Sequence, residues 1–439
     1  MTRAAGMTMS AFHPLQTLGG TPQQLLMGWE AVSCPQTEGP VDIDRREMLG
    51  MATLVAALVP GDLPASAKPL PRHAKLGATL HSIASGVVRD RRTAGFCMGL
   101  RRNGAPEEVF GVGKANLETD TPVSAETVFR IGSLTKQFTA AAIVQLSGSG
   151  RLSLDDRIDR FFPGFGASPA AVIPTVRQLL THTSGLHDYV FGGLPSDAGT
   201  KWQRSPDRWR LIARIQPLYD FEPGAFWSYS NSNYVLLGSI VERVSGEAYA
   251  DFMAREVLGR AGLTQTAFDS YADVVPHRAS GYSLADNAAG AFRNAENSGL
   301  PLAEGGLRST VRDMLRWNDA LFGGRVVPAA GLKLMTSPAT TSNGTPVGSA
   351  HFTPKGLKPN KPPAFVQQAD YGFGLEVARI FDTPVIWHSG GIPGFNSILF
   401  HFTELRTDLV VLTNTDNGAV PAFEPVLRAV TGSSRGKPA

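Results

Sequence analysis

The sequence predicts an α+β protein (α/β in the broader sense) in which one antiparallel sheet is flanked by helices and joined to a mainly helical lobe. Three observations support this prediction. Strand-like segments lie near both ends of the chain, the middle is rich in helices and loops, and 42% of the 439 residues are apolar, which suffices for a sizeable core. Terminal strands and a helical middle combine most simply as a helix-covered sheet, and the cleft between the two lobes is the expected position of an active site.

The first 67 residues are interpreted as a presequence. The twin arginines Arg45-Arg46 precede an apolar run, Met48–Val59, and then the small-residue site Ala65-Ser66-Ala67. That order is typical of a bacterial signal peptide, and the twin arginines indicate the route that exports folded proteins. The apolar run is too short to span a bilayer, so we expect a periplasmic or secreted protein without a stable membrane anchor. The alternative is an N-terminal helix of the domain. Because signals start near an N-terminus, residues 1–40 are expected not to be translated in the cell.

The remaining chain, residues 68–439, is expected to form a single domain of two lobes. A helix is predicted from Ala74 to Asp90, where leucine, isoleucine and valine recur along one side. The segment AGFCMGLRRNGAPEEVFGVGKANL then predicts two strands joined by a turn at Asn103-Gly104. Another helix is predicted over Ser133–Leu146, before two glycines that should end it.

The middle of the chain is predicted to hold three further helices separated by loops. One ends near Ser184-Gly185 in TVRQLLTHTSGL, the second is NYVLLGSIVERVSG, closed by Gly246, and the third is STVRDMLRWNDALFGG, with Ser309 or Thr310 as its N-cap. Residues 338–364, rich in Pro, Lys, Gly and Thr, predict a long surface loop. The last quarter returns to strands in YGFGLEVARI, PVIWHSGG, NSILFHFTE and TDLVVLTNT, and a mobile tail is predicted beyond Val430.

The composition argues against several classes of function. The formal net charge is only +3, with acidic and basic residues interspersed, so no basic stripe indicates nucleic-acid binding. His182 and His187 lack a carboxylate or cysteine partner, so they are interpreted as loop or core histidines and no metal site is expected. We expect no organic cofactor, and a small-molecule or peptide substrate as the partner. Cys97, alone after the presequence, is expected to be a buried small apolar residue.

The segment GSLTK places Ser133 and Lys136 three residues apart at the start of a predicted helix. Residues at this spacing are neighbours on one helix face. A serine hydroxyl is a poor nucleophile until a base takes its proton, and lysine is such a base only when burial or nearby positive charge lowers its pKa. The free N–H groups of a helix N-terminus favour developing negative charge. The alternative is a helix-capping serine beside a solvated lysine.

Two further segments carry residues that suit the same chemistry. Tyr229 and Asn231 precede a predicted helix, and a loop tyrosine can serve as general base or proton shuttle while an asparagine can bind a substrate carbonyl and Lys136. The alternative is that Tyr229 packs and Asn231 caps the helix. His388-Ser389-Gly390-Gly391 follow a predicted strand, where glycines allow close approach and one N–H could complete an oxyanion hole. The alternative is a simple β-turn.

Together, Ser133-x-x-Lys136, Tyr229-x-Asn231 and His388-x-Gly390 resemble, in order and spacing, the three motifs of the penicillin-recognising serine hydrolases. The branch is that of class C β-lactamases, D-Ala-D-Ala carboxypeptidases, D-aminopeptidases and family VIII esterases. Longer segments, including DTPVSAETVFRIGSLTKQFTAAAIVQL, GRLSLDDRIDRFFP and WHSGGIPGFNS, are also similar to that family. The resemblance implies a β-lactamase/DD-peptidase-like fold and a serine hydrolase that forms an acyl-enzyme on an amide or ester bond.

The resemblance also implies a role for each candidate residue. Ser133 would be acylated, while Lys136 and Tyr229 would move its proton and later activate the hydrolytic water. The oxyanion hole would consist of the N–H groups of Ser133 and Gly391, and losing one such donor typically lowers a rate on the order of 10²–10³-fold. Contacts to the substrate would come from Asn231, His388, Ser389 and Gly390.

The third motif departs from the pattern of class C β-lactamases, which usually carry Lys-Thr-Gly where this chain has His388-Ser389-Gly390. Lysine is a permanent cation suited to a penicillin or peptide carboxylate, whereas histidine is mostly neutral at pH 7. The histidine argues against efficient β-lactamase activity, and the resemblance implies that it fits the carboxypeptidases, D-aminopeptidases and esterases of this branch. The expected activity is that of a D-Ala-D-Ala carboxypeptidase or D-aminopeptidase, or one like that of a class C β-lactamase. The alternatives are a family VIII-type carboxylesterase and, in another class, a penicillin-acylated sensor with little turnover.

Overall fold

The computed structural model of the protein describes residues 73–102, 105–166, 172–192, 207–270, 272–285, 290–295, 302–353 and 363–433. The predicted presequence with its twin-arginine signal, the turn at Asn103-Gly104 and the end of the C-terminal tail lie outside the described residues. Within the described ranges, no helix combines the length and apolar character needed to cross a bilayer.

An eight-stranded antiparallel sheet lies at the centre of the fold, with strand order β3-β2-β1-β13-β12-β11-β10-β9. Strands β4, β8 and β5 form a three-stranded sheet, and β6 pairs with β7. The strands are β1 (Gly95–Arg102), β2 (Glu108–Asn116), β3 (Thr121–Pro122), β4 (Phe129–Arg130), β5 (Ala267–Phe268), β6 (Tyr282–Leu284), β7 (Phe292–Asn294), β8 (Leu307–Ser309), β9 (Val366–Tyr371), β10 (Glu376–Ile380), β11 (Thr383–Ile392), β12 (Phe395–Phe402) and β13 (Thr407–Thr413).

Helices cover this sheet and build the middle of the chain. They are α1 (His73–Arg89), α2 (Thr135–Gly148), α3 (Val176–Leu180), α4 (Arg208–Ile212), α5 (Asn231–Ser245), α6 (Tyr249–Phe252), α7 (Gly259–Ala261), α8 (Val311–Phe322), α9 (Ala329–Thr336) and α10 (Val420–Thr431). A π-helical stretch, Met253–Leu258, links α6 to α7, and short 3₁₀ turns span Gly132–Leu134, Ile158–Arg160, Tyr189–Phe191 and Val347–Ser349.

The large sheet is buried on both faces. In β1, Phe96 and Met98 belong to the core that the sheet forms with α1 and α10, while Cys97 between them belongs to the larger core that contains α2, α5 and α8. This alternation follows from the two-residue period of a strand. Cys97 is buried as predicted, and burial raises the pKa of its thiol to about 12. The predicted union of terminal strands into one antiparallel sheet is confirmed.

The predicted helices of the middle region are present with one change. Helix α5 ends at Ser245 because Gly246 takes the left-handed conformation (φ 79°). Helix α8 begins after Thr310, whose side chain accepts the N–H of Asp313. Helix α3 ends at Leu180, earlier than the predicted end near Ser184-Gly185, because the chain turns at His182, which has a φ of 58°.

Predictions for the last quarter of the chain are wrong in detail. The segment YGFGLEVARI is not one strand, because β9 ends at Tyr371, β10 begins at Glu376, and Gly374 between them takes a φ of 69°. An added Cβ at Gly374 would lie 2.7 Å from the carbonyl oxygen of Lys136, so this turn is packed onto the first turn of α2. The β9–β10 turn therefore belongs to the surroundings of the predicted site.

Part of the region predicted as a long surface loop is buried in the structure. Trp227 forms a β-bridge with His351, and Val347 is fully buried beside Trp227 and Tyr371. Residues 354–362 lie outside the described residues. The loop composition predicted solvent exposure, but apolar residues within it fill a small core next to the Tyr229 loop.

Candidate active site

The predicted nucleophile lies directly before α2. Ser133 is half-buried in the 3₁₀ turn Gly132–Leu134, rather than in the α-helix as predicted, and α2 starts two residues later. Gly132 takes a φ of 51°, a conformation that favours glycine, and an added Cβ there would lie 3.0 Å from the backbone nitrogen of Gly391. The turn therefore holds Ser133 at the helix N-terminus and against the end of β11.

Lys136 is buried one turn after Ser133, with 0% of its surface exposed. Its Nζ donates to Ser133 Oγ at 3.0 Å, to Asn231 Oδ1 at 2.7 Å and to the carbonyl oxygen of Glu304 at 2.6 Å. Burial lowers the pKa of Lys136 to about 7, although the charges of Glu304 and Asp188 oppose that shift. A substantial fraction of this lysine is therefore neutral near pH 7 and can accept the serine proton.

Tyr229 completes the contacts of the serine. Its ring centroid lies 4.9 Å from Lys136 Nζ, and its phenol lies close enough to the Ser133 side chain for that hydroxyl to lower the pKa of Tyr229. Burial raises the pKa of Tyr229 well above its usual value, and the Ser133 hydroxyl offsets this only in part. Tyr229 therefore keeps its proton at neutral pH, and this geometry suits a donor or relay better than a free phenolate base.

Asn231 is the first residue of α5 and lies between Lys136 and an acidic residue that the sequence did not point to. Its Oδ1 accepts from Lys136, and its Nδ2 donates to Asp188 Oδ2 at 2.9 Å. The Asp188 carboxylate also accepts the backbone N–H of Val190 at 3.1 Å. Burial raises the pKa of Asp188, while these donors and Lys136 oppose the rise.

His388 lies on β11 and is buried, with 2% of its surface exposed. Its Nδ1 donates to the carbonyl oxygen of Ser389 at 2.6 Å, so in the neutral ring Nε2 accepts from the Tyr371 hydroxyl at 3.1 Å. Burial, aided by the nearby Lys136, lowers the pKa of His388 to about 3. Both ring nitrogens are thus engaged inside the protein, and a substrate contact would require one of these bonds to exchange. The predicted substrate contact of His388 stays a prediction.

The end of β11 offers an N–H group to the site. A two-residue turn joins the pair Ile392 and Phe395, so alternation along the antiparallel ladder directs the backbone groups of Gly390 toward β12 and those of Gly391 toward the opposite edge. Strand β10 reaches only as far as Trp387 along that edge. The Gly391 N–H therefore points away from β12, at a part of the β11 edge that β10 does not cover. An oxyanion donor requires this orientation.

Gly390 is required by the close approach of the nucleophile turn. An added Cβ would lie 3.0 Å from the backbone nitrogen of Ser133 and would overlap the Ile131 carbonyl oxygen and the Ser397 hydroxyl. Ser397 in turn donates to Ile131 O at 2.8 Å, which ties β12 to the same turn. The structure thus brings Ser133, Gly390 and Gly391 together, as the sequence predicted, while Ser389 is mostly buried on the strand.

His182 is a buried residue of the site whose importance the sequence did not reveal. The backbone N–H of Ser230 donates to its Nδ1 at 3.1 Å, and Asn233 Nδ2 lies at the same distance. The proton of the neutral ring is therefore on Nε2, which has no acceptor among the described residues. Its ring lies 4.4 Å from that of Tyr229. The sequence did not reveal this role because the hydrogen-bond partners of His182 are 48 or more residues away along the chain.

His182 and His187 lie in different surroundings. His187 Nδ1 contacts Asp220 Oδ1 at 2.8 Å, which raises the pKa of His187, whereas His182 lies inside an aromatic cluster. Across the described ranges, no group of three or more His, Cys, Asp or Glu residues is arranged to hold a metal ion.

Comparisons with known proteins agree on one family. The family model described as Beta-lactamase matches residues 76–431. The chain is 28% identical over 317 residues to penicillin-binding protein 4* of Bacillus subtilis, covering 69% of this chain and 64% of that protein. It is 28% identical over 342 residues to a D-aminopeptidase of Cereibacter sphaeroides, covering 78% of this chain and 60% of that protein. It thus spans less than two thirds of the length of either relative.

Among solved structures, the fold is similar to that of a D-stereospecific amidohydrolase from Streptomyces sp. The TM-score is 0.63 at 26% sequence identity, and the match covers 83% of this chain and all of that one. The predicted fold and the predicted kinship with penicillin-binding proteins and D-aminopeptidases are therefore confirmed.

Proposed function

The chain belongs to the β-lactamase family, and on that premise we propose that it is a serine hydrolase that forms an acyl-enzyme on Ser133 and cleaves amide bonds of small substrates containing a D-amino acid. The observation that carries the proposal is the 3.0 Å contact between Ser133 Oγ and the Nζ of a lysine with no exposed surface. Relatives named D-aminopeptidase and D-stereospecific amidohydrolase support the choice of substrate class.

In the proposed acylation step, Ser133 Oγ attacks the substrate carbonyl carbon as its proton passes to neutral Lys136. The negative charge that develops on the carbonyl oxygen would be stabilised by the N–H groups of Ser133 and Gly391, close to the N-terminus of α2. Asn231 has one Nδ2 hydrogen beyond the one given to Asp188, and that hydrogen would hold the substrate amide oxygen.

Release of the amine requires a proton at its nitrogen when the C–N bond breaks. We infer that the Tyr229 phenol delivers this proton and regains one from protonated Lys136, since the phenol contacts Ser133 and lies beside Nζ. In deacylation, water attacks the Ser133 ester while its proton passes through the Tyr229 hydroxyl to neutral Lys136. Lys136 then returns a proton to the serine oxygen as the carboxylic acid leaves.

The neutral state of His388 affects which leaving groups are favoured. Class C β-lactamases place a lysine there, but His388 is buried with both nitrogens engaged, so it offers no positive charge to a substrate carboxylate. This supports substrates that lack a carboxylate on the amine side of the scissile bond, which is where penicillins and C-terminal D-alanyl peptides carry theirs. The same observation favours a second candidate function, a family VIII-type carboxylesterase.

The test compares the full chain with its Ser133→Ala variant on D-alanine p-nitroanilide, its L-enantiomer, a short-chain p-nitrophenyl ester and benzylpenicillin, with intact mass recorded in parallel. We expect hydrolysis of the D-anilide in preference to the L-anilide, and loss of both turnover and adduct in the variant. Ester turnover alone would support the carboxylesterase, and a long-lived penicillin adduct without turnover would support the sensor. Equal activity of the variant would exclude Ser133 as the nucleophile.

We also propose that residues 68–439 act as one exported domain after removal of the twin-arginine presequence. The support is the order of twin arginines, apolar run and Ala65-Ser66-Ala67 in the sequence. Mass spectrometry of the protein from the periplasmic and cytosolic fractions should find a mature N-terminus just after Ala67. Abundant peptides from residues 1–40 would contradict the proposed translation start.

A further inference from the structure

Asp188 holds the side chain of Asn231 from the side opposite to Lys136. The residue has 4% of its surface exposed, and its carboxylate accepts from Asn231 Nδ2 at 2.9 Å and from the backbone N–H of Val190 at 3.1 Å. Lys136 Nζ donates to the other end of the same amide, at 2.7 Å from Oδ1. Lysine, amide and carboxylate thus form one buried chain.

The order of this chain has a consequence for the amide. An ionised carboxylate can only accept hydrogen bonds and an ammonium can only donate them. Asn231 satisfies both neighbours in just one of its two amide orientations, with Nδ2 toward Asp188 and Oδ1 toward Lys136. We propose that Asp188 is a positioning residue that fixes this orientation and, through Asn231, the position and charge of Lys136. The proposal rests on the proposed function in treating Lys136 as the base.

The charged and titratable groups around Lys136 define how Asp188 affects its charge. Nζ faces the Glu304 carbonyl, the Tyr229 and Tyr234 rings at 4.9 and 5.5 Å, and the amide that leads to Asp188. The imidazoles of His182 and His388 are also close enough to be influenced by it. Of these groups only Glu304 and Asp188 raise the pKa of Lys136, while burial lowers it. Removing the charge of Asp188 should therefore make Lys136 more acidic.

The sharpest variant is Asp188→Asn, which keeps the shape and an acceptor for Val190 but sets an NH₂ group against Asn231 Nδ2. If Asn231 turns its Oδ1 toward that NH₂ group, its Nδ2 faces Lys136, where two donors meet whenever the lysine is protonated. We expect acylation to slow on the order of 10²-fold, as for a displaced proton-transfer group. The rise of the acylation rate with pH should occur about one pH unit lower than in the parent. If Asp188→Asn does not fold, Asp188→Ser is used in its place. A serine keeps an oxygen that can accept the N–H of Val190 at the start of the 3₁₀ turn, and it removes the charge.

Asp220→Asn is the matched control. Asp220 is a partly buried carboxylate that contacts His187, the residue next to Asp188, and it makes no contact with Asn231. We expect its rate and pH dependence to match those of the parent. If Asp188 acts through Asn231, the double variant Asp188→Asn/Asn231→Ala should acylate no more slowly than Asn231→Ala alone. Additive losses would overturn the positioning role.

A substrate-free measurement separates this inference from the proposed function. The pKa of Lys136 is followed by ¹³C NMR of its labelled Cε, assigned by loss of the signal in Lys136→Met. The expected result is a lower pKa in Asp188→Asn or Asp188→Ser than in the parent and in Asp220→Asn. An unchanged pKa would overturn the inference even if the parent is an active hydrolase. If the parent has no hydrolase activity but the Asp188 variants still show a lower pKa of Lys136 than the parent, the inference is upheld and the proposed function is rejected.

Discussion

Replacing Gly390 by alanine should displace the nucleophile without touching a catalytic side chain. The new methyl group would lie 3.0 Å from the backbone nitrogen of Ser133 and would overlap the Ile131 carbonyl oxygen and the Ser397 hydroxyl. None of these neighbours is the free end of a flexible side chain, because Ile131 and Ser133 contribute backbone atoms and Ser397 is held by its bond to Ile131. The 3₁₀ turn and β11 must therefore separate.

The size of the effect follows from the overlap. Non-bonded carbon contacts are optimal at about 3.5–4.0 Å, so relief of the clash requires a movement on the order of 1 Å between the turn and the strand. The two oxyanion donors proposed here belong to these two segments. Misplacement of reacting groups by ~1 Å typically lowers a rate on the order of 10²-fold, and overpacking a core contact costs about 1–3 kcal/mol of unfolding free energy.

The adjacent Gly391→Ala variant is the control, because an added Cβ there has no neighbouring heavy atom within 4 Å. We expect it to retain the unfolding free energy of the parent, since its N–H remains and its methyl group meets no protein atom. Both variants are measured by ester or D-anilide turnover and by urea unfolding. If Gly390→Ala keeps parental kcat/KM, or if the two variants lose activity equally, the close-approach argument is wrong.

Four further predictions concern the same site, two on the titration of Lys136 and two on replacements of His182. Because Lys136 must be neutral to act, kcat/KM should rise with pH through about 7, and a flat profile from pH 5 to 8 would contradict this role. Between about 7 and its unfolded value of 10.5, the unfolded chain binds more protons at Lys136, so this group should make unfolding less favourable as pH rises, measurable in urea titrations. His182→Asn tolerates the left-handed backbone and keeps an acceptor for Ser230, so we expect it to remain folded with a several-fold lower kcat. His182→Phe should lose about 1–3 kcal/mol of stability by urea unfolding, because it leaves the Ser230 N–H unpaired.

Much of the fold could be predicted because its signals are local. The strands alternate between two buried faces, and caps such as Thr310 and Gly246 lie next to the helix ends that they define. Helix α10 went unpredicted although it packs Phe423 and Leu427 against the α1 side of the sheet. It carries Pro425 in its interior, and a proline inside a helical pattern argues against a helix unless tertiary packing overrides it.

The candidate site divides in the same way. Ser133 and Lys136 were predictable because helical spacing fixes their relative position, and Tyr229 and Asn231 because their residue types suit the chemistry of the first pair. Asp188 could not be found by such reasoning. Its importance depends on the contact with Asn231, 43 residues further along the chain, and on burial that only the assembled fold provides. The sequence position of a single loop aspartate does not indicate which residue it contacts.

The charge of the site connects these observations. In Lys136 a low pKa arises from burial, and the described surroundings contain acidic groups that work against it rather than a second cation that works with it. A lysine at the position of His388 would be such a cation and would lower the pKa of Lys136 further, since like charges disfavour each other's ionised forms. With a neutral histidine in that position, burial lowers the pKa of Lys136 and the two carboxylates oppose that shift. We therefore expect the change of one residue in the third motif to alter both the recognition of carboxylates and the titration of the base.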